Sequence, residues 1–513
     1  MSTHSPADLN VGDPAPGSPV ALDKPTPGAP SSHRWWVLAV IAIAQLMVVL
    51  DATVVNIALP SAQEALHFSD GNRQWIVTAY SLSFGSLLLL GGRLADLIGR
   101  KIVFLTGVVG FAAASALAGA APNFAVLVSG RALQGLFGAL LAPAALALLN
   151  TTFTDAKERA KAFGIYGAIA GAGGGIGLLL GGVLTEHLSW RWTLYVNLIF
   201  AVVAFFGGMA LLRKGAPAIR PRLDVPGTVL VTTGLFSVVY GFSNADSHDW
   251  GSPLTWGFLA LGVVLLAAFS WSQTRAAHPL LPLRVVLDRN RGASFAILGI
   301  AGIGMFGVFL FLTYYLQLSL HYTPVKTGLG FLPMIGSLMV AAQLATNTLL
   351  PKFGPRPIVP VGMALGAVGM AWLTQLDLSS TYAANVLPPL IVIGFGIGLA
   401  MPTVMSVATS GVRADDAGVA SAAVNTMQQV GGSIGTALLN TLAASAATAY
   451  VTDHATSNPP SNLVLAHAQL HSYSTAYWWS AAFFAAGTVL AALMFRSGRA
   501  DLSTEGDAVA VHM

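Results

Sequence analysis

The chain has no cysteine in 513 residues. That one absence excludes disulfides, iron–sulfur clusters, thiolate zinc sites and cysteine nucleophiles. Charge is the second scarcity. Asp, Glu, Lys and Arg make up 9% of the residues, against about 25% in soluble domains. So few charges cannot clothe the water-facing surface of a chain this long, which excludes a soluble multi-domain enzyme. No glycine-rich run leads into Gly-Lys-Ser or Gly-Lys-Thr, so there is no phosphate loop and no sign of direct ATP drive. All eleven histidines read as lying in loops, tails or span edges, which fits neither haem nor a buried metal. His454, His467 and His471 share one polar segment, but their spacing matches no standard ligand pattern. No nucleophile–base pair stands out. The chain therefore reads as a non-enzyme with no metal and no cofactor.

Apolar length is what the sequence has in excess. Hydrophobic residues make up 55% and the mean hydropathy is +0.69. A membrane helix needs roughly 20 mostly apolar residues. Fourteen stretches meet that: 35–57, 74–92, 102–120, 124–149, 161–184, 192–212, 226–243, 254–272, 292–317, 327–350, 357–376, 384–409, 417–444 and 476–496. The short strict alternation of a membrane β-barrel is absent, and helices are the other structure that satisfies its backbone in lipid. The expected fold is an all-α polytopic membrane protein. With the amino-terminus inside, 21 of the 25 Lys and Arg fall in cytoplasmic segments. Three, Arg73, Arg191 and Lys326, fall in outer loops, and Arg131 falls within a span. This bias places both termini in the cytoplasm. The pI near 9.3 then reflects basic loops beside anionic lipid, not nucleic-acid binding.

Residues 1–34 hold seven prolines among Ser, Ala and Gly and read as a disordered cytoplasmic tail. No signal-peptide pattern is visible, so the first span is expected to be retained. The polar stretch 445–475 reads as the longest outer loop, and 497–513 as a cytoplasmic tail. Gly173-Gly174-Gly175-Ile176-Gly177 recurs as Gly431-Gly432-Ser433-Ile434-Gly435, an offset of 258. Gly99-Arg100-Lys101-Ile102-Val103 has a worn echo in Gly354-Pro355-Arg356-Pro357-Ile358-Val359, an offset of 255. Two pairs at nearly one offset point to duplication. They divide the spans as 6+2+6: one bundle over 35–212, a two-helix insertion with flanking loops over 213–291, and a second bundle over 292–496. Two such halves around a midplane cavity suit a secondary transporter.

Asp51 is the one acid deep inside a span. It follows Trp35 by sixteen residues, roughly 24 Å at 1.5 Å per residue. An intramembrane carboxylate costs several kcal/mol and marks a functional site by default. Arg131 enters span 4 from the outer side, so the two can meet at one depth. The pair reads either as inert glue between spans 1 and 4 or as a coupling site, since burial and a nearby cation act on a carboxyl in opposite directions. Gly92, Arg93, Asp96, Gly99, Arg100 and Lys101 form a short loop between spans 2 and 3 that suits a cytoplasmic latch. Asp96 is placed there to meet a helix amino-terminus of the other half. The glycine-rich stretch 164–182, with Gly173, Gly177, Gly181 and Gly182, suits close helix contact. Polar residues within spans are candidates for a cavity lining: Gln45, Asn56, Tyr80, Gln134, Tyr314, Tyr315, Gln317, Gln343, Asn347, Asn425 and Gln428.

With these residues the chain resembles the fourteen-span drug:proton antiporters of the major facilitator superfamily, from about 34 to 497. Gly91–Lys101 looks like that superfamily's loop 2–3 signature, and Leu50–Pro60 like the span-1 motif of this branch. Arg131-Ala132-Leu133-Gln134-Gly135 looks like the span-4 motif, whose Arg is tied to proton transfer. Gly164–Gly182 is similar to the span-5 antiporter motif, with Leu178 where a Pro is usual. The resemblance implies the major facilitator fold and an exporter that exchanges protons for bulky, often amphipathic drugs. No mid-span acid follows Asp51, so a strong preference for dications is not expected. The expected driving force is the proton gradient, the partners are a small-molecule substrate, protons and lipid, and the expected state is a monomer in the cytoplasmic membrane. The alternative is a same-fold exporter of an endogenous metabolite or self-made antibiotic.

Overall fold

The computed structural model describes residues 31–153, 155–212, 224–248, 250–276, 279–412, 417–455 and 461–496. Residues 1–30 and 497–513, the bulk of the two predicted tails, lie outside the described residues. Fourteen long helices account for nearly all that is described. They are α1 (Ser31–Leu66), α2 (Asp70–Ile98), α3 (Arg100–Gly119), α4 (Phe124–Thr152), α5 (Ala156–His187), α6 (Trp192–Leu211) and α7 (Val225–His248). Then follow α8 (Pro253–Arg275), α9 (Arg289–Tyr314), α10 (Pro324–Leu344), α11 (Pro355–Leu373), α12 (Leu387–Thr409), α13 (Ala417–His454) and α14 (Asn462–Met494). Twelve are long and apolar enough to cross a bilayer, and α2 and α5 match them in length. No strand occurs among the described residues.

The helices alternate in direction, so the start of α1 and the end of α14 share one end of the molecule, here the near end. Among the first six, α2 and α3 pack on α4, and α1 packs on α5 and α6. Among the last six, α9 packs on α13, and α11 on α12 and α14. The pair α7–α8 lies outside both sets, with α7 laid over the seam where α2 meets α13. Thr232 of α7 donates to the Ser86 carbonyl of α2 at 3.3 Å, and Thr441 of α13 donates to the Phe242 carbonyl of α7 at 3.3 Å. Glycines with positive φ stand at two junctions that the sequence repeat pairs. Gly99 (φ 109°) joins α2 to α3, and Gly354 (φ 72°) precedes α11, the equivalent junction of the second set. Side chains rarely adopt such a φ, which is why glycine stands at both.

The apolar core has two main parts. One fills the near-end half of the first six helices and takes in Val231 and Leu235 of α7. The other runs through the last six helices and continues into far-end residues of the first six, Val55, Ile57, Ile76, Leu127 and Leu194. The two sets thus share one core at the far end.

Two expectations are corrected. The predicted outer loop 445–475 is mostly helix, because α13 runs to His454 and α14 starts at Asn462. Hydropathy reads lipid contact, not helicity, and this Ala-rich hairpin continues past the apolar zone. There Tyr450 stacks on His454 with ring centroids 4.0 Å apart and lies 5.5 Å from His471. Arg73, expected in an outer loop, is instead buried in the first turn of α2.

Candidate functional site

Asp51 sits midway along α1 and is wholly buried. Five of the first six helices supply its surroundings. Arg131 of α4 donates Nη1–H to Asp51 Oδ2 at 2.5 Å. Gln134, one turn further along α4, and Asn197 of α6 each donate to Asp51 Oδ1 at 2.8 Å. Ser115 of α3 accepts from both amides, at 2.7 Å from Gln134 and 3.3 Å from Asn197. Arg131 is 1% exposed. It also donates to Gln134 Oε1 at 2.9 Å and to the Ile76 carbonyl of α2 at 3.1 Å, and it lies 4.5 Å from the centre of the Tyr80 ring. Removing one partner of such a buried pair costs about 3–5 kcal/mol, because the other charge is left uncompensated. Three N–H donors thus converge on one carboxyl. A void of about 10 Å³, room for one water, reaches Arg131 from the far end between Val55, Leu59, Ile76, Leu127 and Thr193.

Gln134 and Tyr80 thus belong to the Asp51 network. Asn197 and Ser115 complete it and had no signal in the sequence beyond being polar at mid-span depth.

The α5 glycines set how closely helices approach. Gly173, Gly177 and Gly181 repeat every four residues on one face of α5 against α1. A β-carbon there would meet Val49 at 2.9 Å, the Thr53 side chain, and the Val54 carbonyl at 2.9 Å. Gly182 faces α10 instead, where a β-carbon would lie 2.7 Å from the Pro324 carbonyl. An apolar recess of about 160 Å³ opens nearer the other end of the same pair, lined by Ala42, Ile43, Leu46, Ile169 and Ile176.

At the near end, Lys101 donates to the Leu212 and Met209 carbonyls at 2.5 and 2.8 Å and so caps the end of α6. Arg93 donates to the Pro279 carbonyl at 3.2 Å. Gly92 lies beside Pro143 of α4, and Gly99 and Arg100 form the junction to α3. The Asp96 side chain lies outside the described residues.

The remaining candidates disperse. Tyr166 of α5 donates to Gln45 at 2.5 Å. Asn56 donates to the Ala52 carbonyl of its own helix. Tyr314 and Gln317 are at the far end: Tyr314 donates to Gln63 at 2.7 Å, and Gln317 to the Ile57 carbonyl at 3.2 Å. Gln343 is exposed near the other end, where Asn347 donates to it at 2.9 Å. Asn425 and Gln428 are half-buried on α13.

A family model described as the Major Facilitator Superfamily matches residues 41–436. The puromycin resistance protein of Streptomyces alboniger is 51% identical over 442 residues, 86% of this chain and 88% of that protein. The chain belongs to the major facilitator superfamily. The cephamycin export protein of Amycolatopsis lactamdurans is 38% identical over 411 residues, 80% of this chain and 85% of that protein. Among solved structures, a bacterial homolog of the human lysosomal transporter Spinster, inward-facing and unoccupied, superposes with a TM-score of 0.64 at 15% identity. The match covers 91% of this chain and 98% of that one, and the likeness is one of fold. Some of these polar groups lie inside one bundle and others between the two. The Asp51 network is of the first kind. The Tyr314–Gln63 and Gln317–Ile57 contacts are of the second.

Proposed function

We propose that this chain is a proton-coupled antiporter that exports bulky amphipathic drugs or antibiotics across the cytoplasmic membrane by alternating access. The observation that carries this reading is the buried Asp51–Arg131 network in the core of the first six helices. A lone carboxyl held there needs a reason to bear its desolvation cost, and proton carriage supplies one. The pairing also has a release route. When Asp51 takes a proton, Arg131 keeps Gln134, the Ile76 carbonyl and the Tyr80 ring as partners. These partners keep the guanidinium hydrogen-bonded, but its charge then has no counter-ion, a cost that returning the proton relieves. Relatives named for resistance to or export of an antibiotic support the cargo class.

The bias of basic residues puts the near end in the cytoplasm, so the end closed here is the outer one. The substrate enters from the cytoplasm as Asp51 loses its proton; Asp51 is reprotonated when the site faces out. The loop of Gly92, Arg93, Asp96, Gly99, Arg100 and Lys101 latches the cytoplasmic side in that outward-facing state. Here Arg93 and Lys101 hold Pro279 and the end of α6. The halves are residues 35–212 and 292–496, the protein acts as a monomer, and the proton gradient is the driving force.

The test is substrate-dependent proton flux in proteoliposomes. Asp51→Asn is expected to abolish it while leaving folded protein. Undiminished flux would remove Asp51 from the mechanism. A second reading, a dedicated exporter of one antibiotic, draws on relatives named for single compounds. A resistance profile in a pump-deleted host separates the two: one compound protected against, or many.

A further inference from the structure

Arg73 has no part in the mechanism above, yet it is only 7% exposed. It lies in the first turn of α2, at the far end, and its side chain leaves its own half. Nε donates to Asn440 Oδ1 of α13 at 3.1 Å. The guanidinium lies 4.3 Å from the centre of the Tyr314 ring and 5.9 Å from that of Phe311, both on α9. Tyr314 in turn donates to Gln63 of α1. One cation and one tyrosine therefore tie α1 and α2 to α9 and α13.

We propose that Arg73 is the outer gate residue: a cation of the first half that docks into a Tyr314–Phe311–Asn440 cradle of the second half when the outside is shut, and returns to water when it opens. This rests on the alternating-access reading. The chemistry suits a contact that must break in every cycle. Burying a cation is costly, and here two aromatic faces and an amide oxygen offset that cost. When the halves part, the cradle is lost, but the guanidinium regains its water. An apolar side chain at this position would have no such compensation and would favour the closed state. Asn440 points the same way. Its Nδ2 is buried with no partner, so the amide is there for its oxygen, which Arg73 uses. Lysine cannot reproduce the contact, because it lacks the planar stack and the Nε–H.

The absence of cysteine makes the test direct. Spin labels at Ala65→Cys on α1 and Ala449→Cys on α13, both exposed at the far end, report the outer separation. The parent is expected to show a short and a long distance whose ratio responds to substrate and pH. Arg73→Gln is expected to lower the short-to-long ratio at least about tenfold, the scale of one hydrogen bond to a charged group. Arg73→Lys is expected to fall between, with export reduced in the same order. Tyr314→Leu and Asn440→Leu remove the cradle from the other side. They are expected to shift the ratio the same way, which keeps the test valid if Arg73→Gln folds poorly. A two-distance parent matched by Arg73→Gln and by both cradle variants sinks the gate alone. A parent with one distance under every condition sinks alternating access and the gate with it.

Discussion

Asp51 and Arg131 are a stability problem as well as the proposed coupling pair, and the two roles can be separated. Arg131→Met leaves the Asp51 carboxylate buried with only amide donors, and is expected to cost about 3–5 kcal/mol. Adding Asp51→Asn removes the stranded charge. The double variant is expected to recover most of the lost melting temperature in detergent while proton flux stays absent. If the double variant melts as low as Arg131→Met, the pair is not the source of the cost. Asp51, Arg131 and Gln134 were legible because each breaks an apolar run. Asn197 and Ser115 were not, because a single neutral polar residue in a span is as often an ordinary interhelical contact. Arg73 was misplaced for a related reason: a cation at the edge of an apolar window looks like loop, and a hydropathy window cannot see aromatic rings on a distant helix.

Among the helices, α2 carries candidate residues at three depths along one rigid length. Its far end holds Arg73, its middle holds Tyr80 beside Arg131, and its near end holds the glycine-rich loop. Rocking of this one helix would therefore move all three together. α5 acts by closeness instead. Gly181 lies where a β-carbon would press on the backbone of α1, while Gly174 on the same helix faces open space. Gly181→Val is expected to destabilise by about 1–3 kcal/mol through overpacking and to lose export. Gly174→Ala is expected to be neutral or to stabilise by up to ~1 kcal/mol. Thermal melting of the two purified variants checks this, and equal behaviour would mean the stripe is not a packing face. The glycine spacing and the repeat were readable from sequence, as were the fourteen helices. The length of α13 and α14 was not, since the polar hairpin beyond residue 444 carries no lipid signal.

For the whole molecule, the far-end closure includes a capping carboxylate that links the two sets of helices. Glu186 of α5 accepts from the Val325 backbone N–H at the start of α10, at 3.0 Å. That bond is the main cause holding its carboxyl below the ordinary glutamate value of 4.5, with Thr323 and His187 adding to it. Asp377, in the turn before α12, is lowered by hydrogen bonds from Ser379 and Ser380. A carboxyl depressed in the closed state and ordinary in the open state stabilises closure fully above about pH 4.5. The contribution fades as pH falls below that value and is gone below the depressed one. Glu186 is exposed, so solvent screens the effect. Between pH 5 and 8 this cap is constant and cannot shape the transport profile. Export plotted against pH over that range is therefore expected to keep its shape in Glu186→Gln. Below pH 4.5 closure does respond: the short outer distance should weaken in the parent and be insensitive in Glu186→Gln. A Glu186→Gln profile that flattens between pH 5 and 8 would move the proton-sensing step from the buried network to the outer rim.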